Sequence, residues 1–255
     1  MGEDLGDKTV LLTGASGGIG SATAALLLER GAHLIAHYAG DEEGAARACA
    51  AAPADRWTRI RADFSRPGAA RELWRQSVAW RGRVDVVVLN AAVMPDTPLE
   101  GSDQVWDDGW ERAWRVNVME PVSLAREAVA HFREHGGGAL IALSSWAAQR
   151  GSAIPHLGAY AASKAALRSF AQTIARNHAR EGVMSYIVAP GIVRTPMSEI
   201  SAIHRGGLEA LNAELAMGEM VEPVEIARLV AFLATGSARN LTGATLDVNG
   251  ATYIR

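Results

Sequence analysis

Tyr160 and Lys164 stand four residues apart in Gly158-Ala159-Tyr160-Ala161-Ala162-Ser163-Lys164-Ala165-Ala166-Leu167, a run of small residues that reads as the start of a helix. Four residues is about one turn, so both side chains project from one face. A free phenol titrates near about pH 10 and is a poor acid-base catalyst at neutral pH. A cation held one turn away favours the phenolate and draws that pKa down. The pair can therefore pass a proton to a neighbouring oxygen. Taken alone, the same two residues more often describe a half-buried tyrosine beside a solvated lysine. The elements around them have to decide.

Lys8 to Thr13 is a short apolar run, the pattern of a buried parallel strand. It leads into Gly14-Ala15-Ser16-Gly17-Gly18-Ile19-Gly20, and a helix from Ser21 to Arg30 follows and stops at Gly31. Strand, glycine loop and helix form the setting that a phosphate-cradling loop requires. Gly14 permits the tight turn, Gly18 lets backbone approach a diphosphate, and Gly20 lets the helix pack on the strand. The N–H groups at the helix start then face the anion.

The alternation continues. Strands are expected over His33–Tyr38, Trp57–Ala62, Val84–Leu89, Ala139–Ser144, Val183–Ala189 and Ala244–Val248. Helices are expected over Glu42–Ala51, Pro67–Trp80 with Ser65 as its cap, Trp106–His135 with a bend or break at Pro121, Tyr160–Arg180 and Pro223–Ala234. This order implies right-handed crossovers and an α/β fold of the Rossmann-type doubly wound kind, a mostly parallel seven-stranded sheet with helices on both faces. Ligands of such sheets bind beyond the carboxyl ends of the strands. The glycine loop, Asp63, Asn90, Ser144-Ser145 and Pro190-Gly191 all fall at strand ends and should converge on one crevice.

A chain of 255 residues with 49% hydrophobic content suits one domain, residues 1–255, with about residues 195–220 as a substrate lid. The net charge of −3 carries no basic stripe, which argues against nucleic acid as a partner. Cys49 is the single cysteine, so no internal disulfide forms, which fits a reducing cytosol. Cys49 itself reads as an inert small residue on a helix. The acidic start Met1–Asp7 lacks the order of a signal peptide, and no apolar run has the length of a membrane span. The expectation is a cytoplasmic protein with no membrane partner and no metal.

Taken together, Thr13-Gly14-x-x-x-Gly18-x-Gly20, Asp63, Asn90-Ala91, Asn117, Ser145, Tyr160-x-x-x-Lys164 and Pro190-Gly191-Ile192-Val193-x-Thr195 resemble the short-chain dehydrogenase/reductase family in its compact single-domain form. The resemblance runs from about Lys8 to Gly250. It implies hydride transfer between a nicotinamide cofactor and a carbonyl or alcohol. It implies catalytic roles for Asn117, Ser145, Tyr160 and Lys164. Tyr160 would give a proton to the substrate oxygen and Ser145 would hydrogen-bond the same oxygen. Lys164 would hold the cofactor ribose and keep the Tyr160 pKa low. Asn117 would anchor a water in a proton relay behind the lysine. It also implies cofactor contacts from Gly14, Ser16, Gly18, Ile19 and Gly20 at the phosphates, and from His37 and Tyr38 at the ribose. Asp63 and Phe64 would serve the adenine, and Asn90, Ala91 and Ala92 its ribose. Pro190, Gly191, Ile192, Val193 and Thr195 would seat the nicotinamide, beside Tyr160 and Lys164. Ala92 stands where the family has glycine. Two residues more than usual separate Ser145 from Tyr160, within Gln149–His156, which leaves Ser144 as the alternative. Ser145 is preferred because the strand's last residue alternates away from it.

Strand two ends in His37-Tyr38-Ala39-Gly40, without the carboxylate that usually holds a ribose 2′-hydroxyl. NADP(H) is therefore favoured, with NAD(H) allowed. No arginine stands at Gly17 or just after Tyr38. The substrate is expected to be a small carbonyl or alcohol, with a 3-oxoacyl thioester among the candidates, because the overall resemblance is to the branch of 3-oxoacyl-[acyl carrier protein] reductases. Its pocket is expected from Met94, Trp146, Ile154, Pro155, His156 and the segment Met197–Met220. The branch implies a homotetramer. Two alternatives stand beside this reading: an NAD(H)-linked dehydrogenase of a small alcohol, sugar or steroid, and a nucleotide-binding sensor without catalysis.

Overall fold

Seven short strands pair side by side into one parallel sheet in the computed structural model, which describes residues 5–6, 8–203 and 206–254. The strands are β1 (Thr9–Leu12), β2 (His33–Tyr38), β3 (Trp57–Arg61), β4 (Val86–Leu89), β5 (Gly138–Leu143), β6 (Val183–Pro190) and β7 (Thr245–Val248). Their order is β3-β2-β1-β4-β5-β6-β7, and every pairing is parallel. The chain leaves β1 toward one edge and returns to lay β4 on its other side. That reversal opens a crevice at the carboxyl ends of β1 and β4.

Ten helices are described: α1 (Gly18–Glu29), α2 (Glu42–Cys49), α3 (Ala69–Arg81), α4 (Asp103–Trp114), α5 (Glu120–Glu134), α6 (Ala147–Arg150), α7 (Gly158–His178), α8 (Pro196–Ile203), α9 (Leu208–Ala213) and α10 (Pro223–Ala234). Every residue of β1, β4 and β6 is buried, which is why these strands read as continuous apolar runs. Leu12 packs with Leu27 of α1 and Ile226 of α10, whereas its neighbour Leu11 packs with Leu73 of α3 and Leu124 of α5. Successive side chains of a strand point to opposite faces, so the sheet is covered on both. None of these helices is long and apolar enough to cross a membrane. Cys49 is buried at the end of α2, and burial pushes its thiol up to about 11, which fits the inert role expected. The acidic residues read in Met1–Asp7 lie outside the described residues.

Two helix expectations need correction. α3 starts at Ala69 behind Gly68, not at Pro67 behind Ser65. Its cap comes from the buried Glu120, whose carboxylate accepts from the N–H of Gly68 at 3.1 Å and of Ala70 at 2.9 Å. A carboxylate at a helix N-terminus satisfies donors that have no intrahelical partner. The long helical stretch does not break at Pro121. It widens before it, into a π-helical turn over Arg115–Met119, and Pro121 sits in the first turn of α5. Pro121 has no N–H to return to the Asn117 carbonyl four residues back, and the wider turn absorbs its ring.

Candidate active site

A cleft of about 680 Å³ lies beyond the strand ends. Tyr160, in the first turn of α7, and Lys164, one turn on, both line it. The Lys164 Nζ lies 5.8 Å from the centre of the Tyr160 ring and donates to the Leu143 carbonyl at 2.8 Å. Burial draws the ammonium down to about 8. Burial also raises the Tyr160 pKa, opposed by a hydrogen bond with the Ser145 side chain. The lowering expected from lysine does not appear: burial dominates, and Ser145 is the group that opposes it. The phenol stays protonated, the form in which it can give a proton.

Ser144 and Ser145 separate cleanly. The Ser144 hydroxyl donates to the Lys164 carbonyl at 3.0 Å and so ties the end of β5 to α7. The Ser145 hydroxyl accepts from the Ala147 N–H at 3.2 Å and faces Tyr160. Ser145 therefore still has its proton to give, in support of the preferred assignment.

Asn117 is fully buried in the π-helical turn. Its amide oxygen accepts from the Val93 N–H at 2.8 Å, and its amide nitrogen donates to the Val93 carbonyl at 2.8 Å and the Ser163 hydroxyl at 3.0 Å. Ser163 in turn donates to the Tyr160 carbonyl at 2.7 Å. The side chain is occupied as a clamp between the segment after β4 and the first turn of α7.

The glycine loop is braced from two sides. At Gly20 an added Cβ would fall 1.8 Å from the Gly14 carbonyl oxygen, so α1 can meet the loop only without a side chain there. The Asn90 amide donates to the carbonyls of Thr13 at 2.9 Å and Gly14 at 3.0 Å. On the other side the Gly14 N–H donates to Nδ1 of His37 at 3.0 Å, while Nε2 of His37 meets the Ala62 carbonyl at 2.8 Å. An imidazole that accepts at Nδ1 and donates at Nε2 is neutral. Burial agrees, drawing its pKa down to about 4. The ring stacks on Phe64 at 4.6 Å.

The sequence matches a family model described as enoyl-(acyl carrier protein) reductase over residues 14–251. The chain belongs to the short-chain dehydrogenase/reductase family. It is 31% identical over 254 residues to a cis-4-hydroxycyclohexanecarboxylate dehydrogenase of Sinomonas cyclohexanicum, covering 98% of each chain. It is 30% identical over 247 residues to a 3-oxoacyl-[acyl-carrier-protein] reductase of Rickettsia conorii, covering 97% of each. A short-chain dehydrogenase/reductase from Brucella melitensis superposes with a TM-score of 0.88 at 29% identity over 100% of both chains. A 3-oxoacyl (acyl-carrier-protein) reductase from Agrobacterium tumefaciens, solved with NADP bound, gives 0.86 at 27% identity over 97% of this chain and 95% of that one. As a member of the family, the protein is an NAD(P)-dependent oxidoreductase of small carbonyl or alcohol substrates.

Within this short-chain dehydrogenase/reductase, most of the residues singled out from sequence line the one cleft: Gly14, Ser16, Gly18, Ile19, His37, Asp63, Phe64, Asn90, Ala91, Ala92, Ser145, Tyr160, Lys164, Pro190, Gly191, Val193 and Thr195. Gly20, Tyr38, Asn117 and Ile192 do not. Gly20 packs on Gly14, Tyr38 turns to Glu42, and Ile192 joins Ala202, Leu211, Leu215 and Met220. Asp63 forms a local turn: its Oδ1 accepts from the Ser65 N–H at 2.9 Å, and this bond lowers its pKa.

Of the expected substrate wall, Met197 and Ser198 line this cleft, whereas Met94, Trp146, Ile154, Pro155 and His156 are not part of its lining. The His156 carbonyl accepts from the Thr97 N–H at 2.7 Å and its hydroxyl at 2.9 Å, so the longer loop is fastened to the segment after β4. Residues 204–205 of the expected lid lie outside the described residues.

Further residues shape the site beside those given a role above. The Thr13 hydroxyl accepts from the N–H of Asn90 at 2.9 Å and Ala91 at 3.0 Å, a brace signalled only by a hydroxyl ending an apolar strand. Arg112 and Val116, four apart on one helical face, form part of the cleft wall. Arg61 pairs in register with Tyr38 and donates its Nε–H to the Ala39 carbonyl at 3.1 Å. It brings a cation beside the Ala39–Gly40 corner from the neighbouring strand.

Proposed function

We propose that the protein is a single-domain carbonyl reductase that prefers NADP(H), with 3-oxoacyl thioesters as the first substrate class to test. The observation that carries this is the meeting of Ser145, Tyr160 and Lys164 on one wall of a cleft whose other end is the glycine loop. The loop fits a dinucleotide diphosphate. α1 starts with no side-chain cap and no acidic residue in its first turn, and open space lies before Gly17. Its free N–H groups suit an anion.

The nicotinamide, when bound, would supply or accept the hydride. Tyr160 would give its phenolic proton to the substrate oxygen as charge develops there, and Ser145 would hydrogen-bond the same oxygen. Lys164, already fixed on the Leu143 carbonyl, would hold the ribose hydroxyls and replenish the Tyr160 proton. Since the Asn117 side chain is occupied, its main-chain carbonyl, to which Pro121 four residues on returns no N–H, would be the group to hold a relay water. Thr195, Ile192 and Val193 would seat the nicotinamide through their backbone or side chains, and Asp63 would accept from the adenine amino group.

The cofactor preference rests on charge at the Ala39–Gly40 corner. Asp41 is spent as the α2 cap, its Oδ1 accepting from the Gly44 N–H at 2.8 Å, and Glu42 accepts from Arg59 Nε at 2.7 Å. Arg61 is the cation beside that corner, and His37 is neutral. A 2′-phosphate gains from Arg61, while Asp41 keeps its charge but has its Oδ1 turned to the start of α2.

A second reading is a ring-alcohol dehydrogenase. It draws support from the Sinomonas relative and from a 3beta-hydroxysteroid dehydrogenase of Eggerthella lenta that is 32% identical over 259 residues, covering 98% of this chain and 95% of the relative. A screen of acyl thioesters, cyclic ketones and sugars, followed by nicotinamide absorbance with both cofactors, separates the two. Absence of turnover with every class, alongside intact nucleotide binding, would favour a sensor instead.

A further inference from the structure

Arg112 stands on α4, one turn before Val116. Its side chain is exposed and lines the cleft. Among the described residues it has no hydrogen bond or ion pair. Asp108, one turn earlier, accepts from Gln104 at 2.8 Å instead. Arg112 also lines a shallow groove that meets the cleft at Ser65, which sets it at the Asp63–Ser65 end. There the walls are Phe64, held by stacking on His37, and the apolar Val116, with the exposed Asp63 carboxylate at the edge. Apolar walls with one acceptor at the rim suit a flat heteroaromatic ring. Anions of a dinucleotide already have the start of α1 to meet them. A guanidinium is planar and weakly hydrated, and it stacks on π faces.

We propose that Arg112 is a cofactor-binding residue that lays its guanidinium on the open face of a purine held at the Asp63–Ser65 end of the cleft. This rests on the nicotinamide-dinucleotide reading above. The test is calorimetric titration of the parent, Arg112→Ala and Arg112→Lys with 5′-AMP, NADH and NADPH. Stacking of this kind corresponds to a loss of roughly 3- to 30-fold in affinity on truncation. Arg112→Ala should weaken all three ligands by the same factor, and Arg112→Lys should recover part, because it keeps the charge and loses the plane. A loss confined to NADPH overturns the proposal and assigns Arg112 to the 2′-phosphate. Unchanged affinity for all three in Arg112→Ala also overturns it. A parent that binds none of the three overturns the dinucleotide reading itself, a result distinct from either.

Discussion

Arg61 donates its Nε–H to the carbonyl of Ala39, across the register that pairs β3 with β2. The contact fixes a cation at the corner where strand two would otherwise carry an acid. Arg61→Ala should weaken NADPH by roughly 10-fold and leave NADH within about 2-fold, since a charge-assisted bond is worth about 1.5–3 kcal/mol at most. Ala39→Asp, at an exposed position, should turn the preference toward NADH. His37→Asp is the poorer probe, because His37 bridges Gly14 and Ala62. Dissociation constants for both cofactors decide the matter, and a parent that already prefers NADH sinks the assignment.

Tyr160→Phe keeps the ring and removes the proton source. Nucleotide affinity should stay within a few-fold while kcat falls by about 10² to 10⁴. Turnover close to the parent's would exclude Tyr160 as the acid.

The two adjacent serines should part company. Ser145→Ala should lower kcat by about 10²-fold, as expected for a donor to a developing oxyanion, with little change in melting temperature. Ser144→Ala should cost about 1 kcal/mol of stability through its lost bond to the Lys164 carbonyl and keep most activity. Steady-state kinetics and thermal melts on both variants read the difference. Equal kinetic damage would remove the distinction.

His37 titrates lower in the fold, at about 4, than an ordinary imidazole at 6.5. Between those values the unfolded chain binds the proton and the fold does not. Its contribution to stability is therefore complete above pH 6.5 and declines as pH falls toward 4, by up to about 1.4 kcal/mol per unit. His37→Gln keeps one acceptor and one donor but does not titrate. Denaturant melts at pH 7 and pH 4.5 should show the parent losing about 2 kcal/mol more than this variant. Parallel losses would mean that His37 is protonated in the fold.

The sheet was legible because its central strands β1, β4, β5 and β6 are short apolar runs buried on both faces, whereas the edge strands β3 and β7 were read from their place in the alternation. The cleft was legible because residues at strand ends converge whatever the loops do. What escaped depends on contacts distant in sequence. The start of α3 is set by Glu120, and no local signal near Pro67 carries that information. The bracing role of His37 is set by Gly14 and Ala62 on two other segments, and its position at a strand end does not show it. The fastening of the longer loop was not legible either, because nothing in Gln149–His156 shows that Thr97 will hold it.

The π-helical turn makes this part of the chain intolerant of a change in length. It places Asn117 against Val93 and Ser163, and it places Glu120 on the start of α3. Removal of one residue between them would close the wide turn into an ordinary helix, which keeps α4 and α5 in phase but sets Asn117 and Glu120 two residues apart instead of three. Asn117 and Glu120 could then not both keep their partners, and either the clamp on Val93 and Ser163 or the carboxylate at the start of α3 would be lost. Substitutions at Val118 can be absorbed by repacking, whereas a deletion there loses either the cap of α3 or the clamp on Tyr160. Natural or engineered variants of this chain should therefore vary in residue type across Arg115–Met119 and keep its length.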